Sequence, residues 1–341
     1  MTLYERVADL PLTVTEATYG ARERDTSSGF TRRTTTVELR GDGCVGRGED
    51  VTYENDDHEP YPDPELAGEY TFDGFSTRLD GVDCWPEPPE RDTSRHYRRW
   101  AFEAAALDLA LRQADTDLAN AFDRSSDPVR FAVSTRVESF ERVERLLEVA
   151  PESEFKLDPV PDWSDDLIER LADLDRVRVL DLKGFYEGTD VDTEPEPEFY
   201  LRVVEAFPDA VVEDPALTEE TRPVFEGEED RVAWDYPITG VESVEESPWE
   251  PRWLNVKPSR FGTVRSLLDT VEYCREREVR LYGGGQFELG VGRGQIQALA
   301  SVFYPDAPND VAPAGYNDPE PSPDLPSSPL DPPAEPVGFG W

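Results

Sequence analysis

From about residue 128 the chain alternates short apolar runs with longer amphipathic ones. The apolar runs are "VRFAVST", "EFKLDP", "VRVLDLKG", "AVVEDPAL", "RVAWDYPI", "WLNVKPSR" and "VRLYGGGQFELG". Between them lie segments with helical spacing, among them "FERVERLLEVA", "WSDDLIERLADL", "PEFYLRVVEAF", "GTVRSLLDTVEYCRERE" and "GRGQIQALASVF". Seven short buried strands with helical crossovers predict an α/β fold with a parallel barrel. The first part of the chain reads differently. Residues 10–53 alternate polar and apolar positions as strands do, with a hairpin turn at Gly41–Gly43. A Pro- and Asp-rich passage over 55–95 predicts irregular structure. "RHYRRWAFEAAALDLALRQADTDLANAF" then predicts a long helix, with Trp100, Ala104, Leu107 and Leu111 on one face. The expected division is an α+β unit at 1–126, the barrel at 127–304, and a Pro-rich segment at 305–341 whose aromatic end, "GFGW", packs back on the first unit.

A parallel barrel places its chemistry at the C-terminal ends of its strands. Those ends carry Lys156 and Asp158, Asp181 and Lys183, Glu213 and Asp214, Asp235, Lys257, and Gln286 and Glu288. The chain has three lysines against 31 arginines, and all three fall in this set. Surface lysines would have landed mostly in helices and loops. An ammonium near a metal or a second cation can give up its proton and act as a base, which a guanidinium does not. Asp181, Glu213 and Asp235 come from consecutive strands, spaced 32 and 22 residues apart. Three carboxylates converging on one mouth repel unless a cation lies among them, and an all-oxygen donor set suits Mg²⁺. Structural pairing with lysine and arginine is the plain alternative.

Composition narrows the setting. The chain of 341 residues is 37% hydrophobic, enough for a large core, and carries a net charge of -41 with acids spread throughout. Such a surface repels nucleic acid and anionic membranes. It fits a salt-rich cytoplasm in which arginine replaces lysine. The three cysteines, Cys44, Cys84 and Cys274, lie far apart without metal-binding spacing, which points to a reduced, cytoplasmic chain. The N-terminus "MTLYERVADLPLTVTEA" has neither the basic start nor the apolar core of a signal peptide, and no run of 18 apolar residues occurs.

The order of these motifs resembles the enolase superfamily over nearly the whole length. "TTTVELRGDGCVGRGE" is similar to the hairpin of that family's capping domain and "FEAAALDLALRQA" to its first helix. "VLDLKG", "VEDPAL", "WDYPI", "NVKPSRFG" and "GGGQFELGVGRG" are similar to the strand-end signatures of the muconate-lactonizing subgroup. That subgroup includes o-succinylbenzoate synthases, dipeptide epimerases and N-acylamino acid racemases. The resemblance implies a (β/α)7β TIM-like barrel under an α+β capping domain. It also implies Mg²⁺ held by Asp181, Glu213 and Asp235, and a lysine that removes the proton α to a substrate carboxylate, giving an enediolate. Lys257 matches the family's sixth-strand lysine. The chain departs from the pattern elsewhere. The second strand, usually Lys-x-Lys, reads Lys156-Leu-Asp158, and the third, usually Asp-x-Asn, reads Asp181-Leu-Lys183. Either the amine has moved from the second strand to the third, pairing Lys183 with Asp158, or Lys156 is itself the usual base. The fifth-strand "DES" pattern is replaced by Asp235-Tyr236-Pro237.

Asp214 is expected to point away from Glu213 and anchor a lysine or arginine. Gly284, within the glycines 283–285, is expected to serve packing or close substrate approach, and Gln286 and Glu288 to lie near the substrate carboxylate or Lys257. Residues 19–30 are a candidate lid over the mouth. The expected ligand is a small carboxylate, with no nucleic-acid or membrane partner, and a homo-oligomer is allowed. An o-succinylbenzoate-synthase-like or cycloisomerase-like reaction comes first, and racemisation or epimerisation of an acylated amino acid or dipeptide second. A non-catalytic enolase-like binding protein is the alternative of another class.

Overall fold

The computed structural model describes residues 1–186 and 193–341. The first strand, β1 (Pro11–Val14), precedes a three-stranded antiparallel sheet of β2 (Glu16–Asp25), β3 (Thr31–Gly41) and β4 (Cys44–Asp50). Asp42 (φ 48°) and Gly43 (φ 77°) make the β3–β4 turn, two successive positive φ values that match the twist of a tight hairpin. The helix Ser94–Gln113 lies on this sheet and is buried continuously from Trp100 to Leu111. Gly46 and Gly48 let it approach, since a Cβ at Gly48 would stand 2.0 Å from the Ala101 carbonyl oxygen and one at Gly46 2.3 Å from that of Ala105. The helix ends earlier than its periodicity predicts. Asp115 turns to φ 52°, and Asp117 caps a separate short helix, Leu118–Ala121, by accepting from the Asn120 amide.

The passage 55–95 is more regular than its composition suggests. It contains β5 (Gly68–Thr71), antiparallel to β1, and a helix Phe72–Asp80 capped by the Thr71 hydroxyl. Four-residue strands and a helix opening on Phe-Asp-Gly give too little periodicity to read.

The second half forms one parallel seven-stranded sheet in chain order: β6 (Ala132–Thr135), β7 (Glu154–Leu157), β8 (Val177–Asp181), β9 (Val211–Glu213), β10 (Val232–Trp234), β11 (Trp253–Val256) and β12 (Arg280–Gly283). All seven lie within the runs expected from sequence. Closure comes from a segment with no strand pattern. Asn309 bridges Phe131 beside β6, and Asp310 bridges Gly284 at the end of β12, both parallel. The Asn309 side chain accepts the Gly283 amide at 2.7 Å and donates to the Arg130 carbonyl at 2.9 Å, fastening first strand to last.

The tail then runs back over the molecule. Leu330 exchanges two backbone hydrogen bonds with Val129, Gly338 pairs beside Asp117, and buried Phe339 meets Trp100 edge-on at 6.3 Å. Residues 19–30 are most of β2 and the β2–β3 turn. Their tip reaches the barrel, where Phe30 contacts Phe287 at 5.4 Å and the Ser27 amide donates to the Asn317 carbonyl.

Candidate metal centre and active site

Register assembles the carboxylates. Asp181, last in β8, lies opposite Glu213, last in β9, and Asp235 follows the end of β10, whose Ala233 also pairs with Glu213. All three side chains are fully buried, and one oxygen from each lies within 4.8 Å of the others. Below them the barrel interior is closed by Val179, Val211, Ala233 and Tyr282. Glu213 Oε2 accepts the Tyr282 hydroxyl and, at 3.2 Å, Asn255 Nδ2.

Cations surround this triad. Lys156 Nζ lies 2.5 Å from Glu213, 3.4 Å from Asp181 and 3.6 Å from Asp310. Lys183 Nζ bonds Asp181 and lies 3.5 Å from Asp158. Lys257 Nζ donates to Asp235 Oδ2 at 2.8 Å, and Arg260 Nη1 lies 3.2 Å from Oδ1 of the same residue. Burial alone would raise every one of these carboxyl groups. Against that, Lys183 and Lys156 hold Asp181 well below the usual carboxylate range. Arg260 and Lys257 bring Asp235 down to about 2. Glu213 goes the other way, raised well above its usual value by burial and by the neighbouring Asp181 charge. Glu213 thus stays raised although the Lys156 ammonium stands on it.

The residues fit a bound cation. Its donors would be hard carboxylate oxygens on three adjacent strands, buried together, and Asp235 Oδ1 receives no well-aligned hydrogen bond. Such an all-oxygen set suits a hard divalent cation.

Other expected residues fall into place around it. Asp158 carries a buried oxygen without a hydrogen bond, facing Lys183. Among the described residues, Asp214 anchors no lysine or arginine. Its backbone turns to φ 49° and its two oxygens accept the Asp235 and Tyr236 amides, each at 2.8 Å. It thus fixes the backbone that presents Asp235, and burial followed by the Asp235 and Asp181 charges pushes its carboxyl up to about 7. Gly284 is needed for packing, because a Cβ there would stand 2.3 Å from Asn255 Oδ1. Gln286 accepts the Tyr53 hydroxyl at 2.8 Å, and Glu288 accepts the Gln286 amide at 2.7 Å, so both lie where the β12 loop meets the first domain.

Four contributors escape sequence reasoning. Arg260 sits in "NVKPSR", three residues after Lys257, where a basic residue was a readable signal. Asn255 and Tyr282 alternate inward on β11 and β12 but look like ordinary strand residues. Asp310 lies among prolines with no pattern to mark it.

Two family models match the chain, the N-terminal domain of the domain-of-unknown-function family DUF8230 over residues 5–121 and its C-terminal domain over 125–318. The o-succinylbenzoate synthase of Bacillus subtilis is 36% identical over 59 residues, 17% of this chain and 16% of that enzyme. That of Listeria innocua is 36% identical over 84 residues, 24% of this chain and 22% of the enzyme. The sequence matches therefore span less than a quarter of these curated relatives. Similarity of structure extends much further. An enolase-superfamily member from Listeria innocua superposes with a TM-score of 0.62 at 19% identity, covering 89% of this chain and 86% of the other. Muconate lactonizing enzyme from Pseudomonas putida gives 0.62 at 15%, with 88% of each chain covered.

Proposed function

We propose, for a chain that belongs to the DUF8230 family and has the enolase-superfamily fold, that it is a Mg²⁺-dependent enzyme removing the proton α to a substrate carboxylate. The observation carrying this reading is the buried triad Asp181, Glu213 and Asp235 with all three lysines of the chain in contact with it or with its partners. A divalent cation bound there supplies positive charge to the oxygens of a substrate carboxylate. Lys257, at the sixth strand end beside Asp235, is the base on one face of the α-carbon. The Lys156 and Lys183 ammoniums stand on Glu213 and Asp181, and the opposite face is served either by Lys156 as the second-strand lysine or by Lys183, beside Asp158, as an amine moved to the third strand. Arg260 keeps its charge throughout and offsets negative charge near Asp235.

An o-succinylbenzoate-synthase-like or cycloisomerase-like reaction is favoured by the mouth. Phe30, Tyr53 and Tyr236 are exposed apolar side chains, each set against another aromatic: Phe287 at 5.4 Å, Tyr97 at 6.4 Å and Tyr186 at 4.7 Å. The Tyr53–Gln286 hydrogen bond ties the first two pairs together, and the Arg260 guanidinium stands 5.2 Å over Tyr236 in the third. Such a rim suits a ring-bearing acid better than a dipeptide. Racemisation remains the second reading, because Lys156 and Lys257 stand on different carboxylates and two bases are what it requires.

The test is deuterium exchange from D₂O, read by NMR, on Mg²⁺-loaded protein. The panel comprises the o-succinylbenzoate synthase substrate, N-acylamino acids and dipeptides. Exchange on one face of the ring-bearing acid supports the first reading, and exchange on both faces of an amino-acid derivative the second. Asp181→Ala, Glu213→Ala and Asp235→Ala should each abolish Mg²⁺ binding in calorimetry. Unchanged affinity in all three, with no exchange in any substrate, would remove the assignment.

A further inference from the structure

Away from the barrel mouth, a cavity of about 560 Å³ opens where β2, β4, the end of the Ser94–Gln113 helix, the start of the helix Val291–Phe303 and the tail meet. Four of its lining residues are arginines, Arg22, Arg47, Arg112 and Arg293, against one acid, Asp108. The whole chain has 75 acids to 34 bases, so four arginines at one cavity stand out from the acidic background. The arginines are unequally partnered. Arg47 and Arg112 hold Glu38 and Asp108, each at 2.8 Å. Arg22 is exposed and makes no ion pair among the described residues. Arg293 is buried and stands 3.2 Å from Glu288, yet its Nε and the facing Glu288 Oε2 both lack a hydrogen bond. Buried Gln295 leaves its Oε1 unpartnered as well. Apolar walls come from Leu330, Phe339 and Trp341.

We infer that this cavity binds a small organic anion, a phosphate or carboxylate carried on a flat apolar body, and that it communicates with the barrel mouth. Guanidinium groups recognise the anion, and the aromatic and aliphatic walls take its body. Arg293 is the link. Its partner Glu288 also holds the Gln286 amide, and Gln286 bonds Tyr53 at the mouth. An anion that draws Arg293 away leaves Glu288 without its cation and loosens residues 286–288. Binding in the cavity and binding at the mouth are then coupled, and the coupling is reciprocal. The inference is independent of the reaction assigned to the triad.

Calorimetric titration of the Mg²⁺-loaded protein with phenyl phosphate, and separately with inorganic phosphate, tests it. Phenyl phosphate should bind more tightly than phosphate. Arg22→Glu should weaken it by roughly tenfold or more, the loss of one charge-assisted contact. Asp235→Ala, which alters the mouth and not the cavity, should still bind phenyl phosphate, its affinity changed only by the coupling. Equal affinity in Arg22→Glu, loss of binding in Asp235→Ala, or phosphate binding as well as phenyl phosphate would each overturn the site or its ligand class. Amide hydrogen exchange at Gln286 should quicken when phenyl phosphate binds, and an unaltered rate would refute the coupling. If instead a second copy of the chain covers the cavity, sedimentation would show an assembly that Arg22→Glu dissociates, with no phenyl phosphate bound. That result also overturns the inference.

Discussion

Two of the buried charge groups in this molecule are built in opposite ways. In the first domain Asp50 and Arg98 are both fully buried and joined at 2.8 Å. Asp50 also accepts the Thr52 amide and hydroxyl. Arg98 donates to the Cys84 and Asp57 carbonyls and lies 3.5 Å over Trp85 and 4.7 Å over Tyr61. One anion meets one cation, and each polar edge has a partner. At the barrel mouth, three carboxylates share one space with ammoniums spread among them, and Asp158, Asp235, Asn255, Ser259 and Arg260 each keep an atom without a hydrogen bond. The closed group does structural work. The open one retains unmet bonding capacity, which a metal ion and a substrate can take up.

The comparison can be broken from either side. The largest effect is expected at Lys257. Lys257→Arg keeps the charge but cannot accept a proton, so turnover should fall by roughly 10²–10⁴-fold while circular dichroism and Mg²⁺ affinity stay the same. Full turnover in both Lys257→Arg and Lys257→Ala would show that another residue is the base. Next comes Arg98→Ala, which strands the buried Asp50 charge and should cost roughly 3–5 kcal/mol in denaturant unfolding. A loss as small as that of a surface substitution would mean that Asp50 and Arg98 are not the closed pair described.

Glu49 offers a smaller contrast within the same molecule. It reaches from β4 to accept the Leu289, Gly290 and Gly292 amides, filling the start of the Val291–Phe303 helix with a buried carboxylate from the other domain. Glu49→Gln should cost about 1–2 kcal/mol through weaker helix-end and hydrogen-bond interactions. The loss should appear as faster amide exchange at residues 289–292. Smallest per group are the exposed ion pairs, each worth roughly 0–1 kcal/mol. They act collectively through the net charge of -41. The Debye length is about 30 Å at 0.01 M salt and about 3 Å at 1 M, so thermal melts should rise with KCl. Arg98→Ala should melt below the parent protein at every concentration. A melting temperature indifferent to salt would mean that surface repulsion does not limit stability.

Much of the mouth was legible because a strand's period of two and the rule of C-terminal strand ends turn linear spacing into position. Asp181, Glu213, Asp235 and the three lysines were all placed at the strand ends by that reasoning alone. Asp214 was misread because alternation presumes extended backbone, whereas its positive φ turns the side chain onto the next strand's amides. The regular pieces at 68–80 were missed because short elements have too few turns or alternations to stand out from a Pro- and Asp-rich background.

By itself the sequence determined the alternation of strands and helices, the end of each strand at which chemistry collects, and the acidic surface. These are local properties: side-chain period, apolar run length and charge count. Tertiary structure alone decided that residues 309–310 close the barrel and bring Asp310 to Lys156. It also decided that Glu49 caps a helix 240 residues away, and that four arginines from separate elements line one cavity in an acidic protein. Such contacts join residues distant along the chain, and their energy depends on burial and mutual geometry, neither of which a linear pattern encodes.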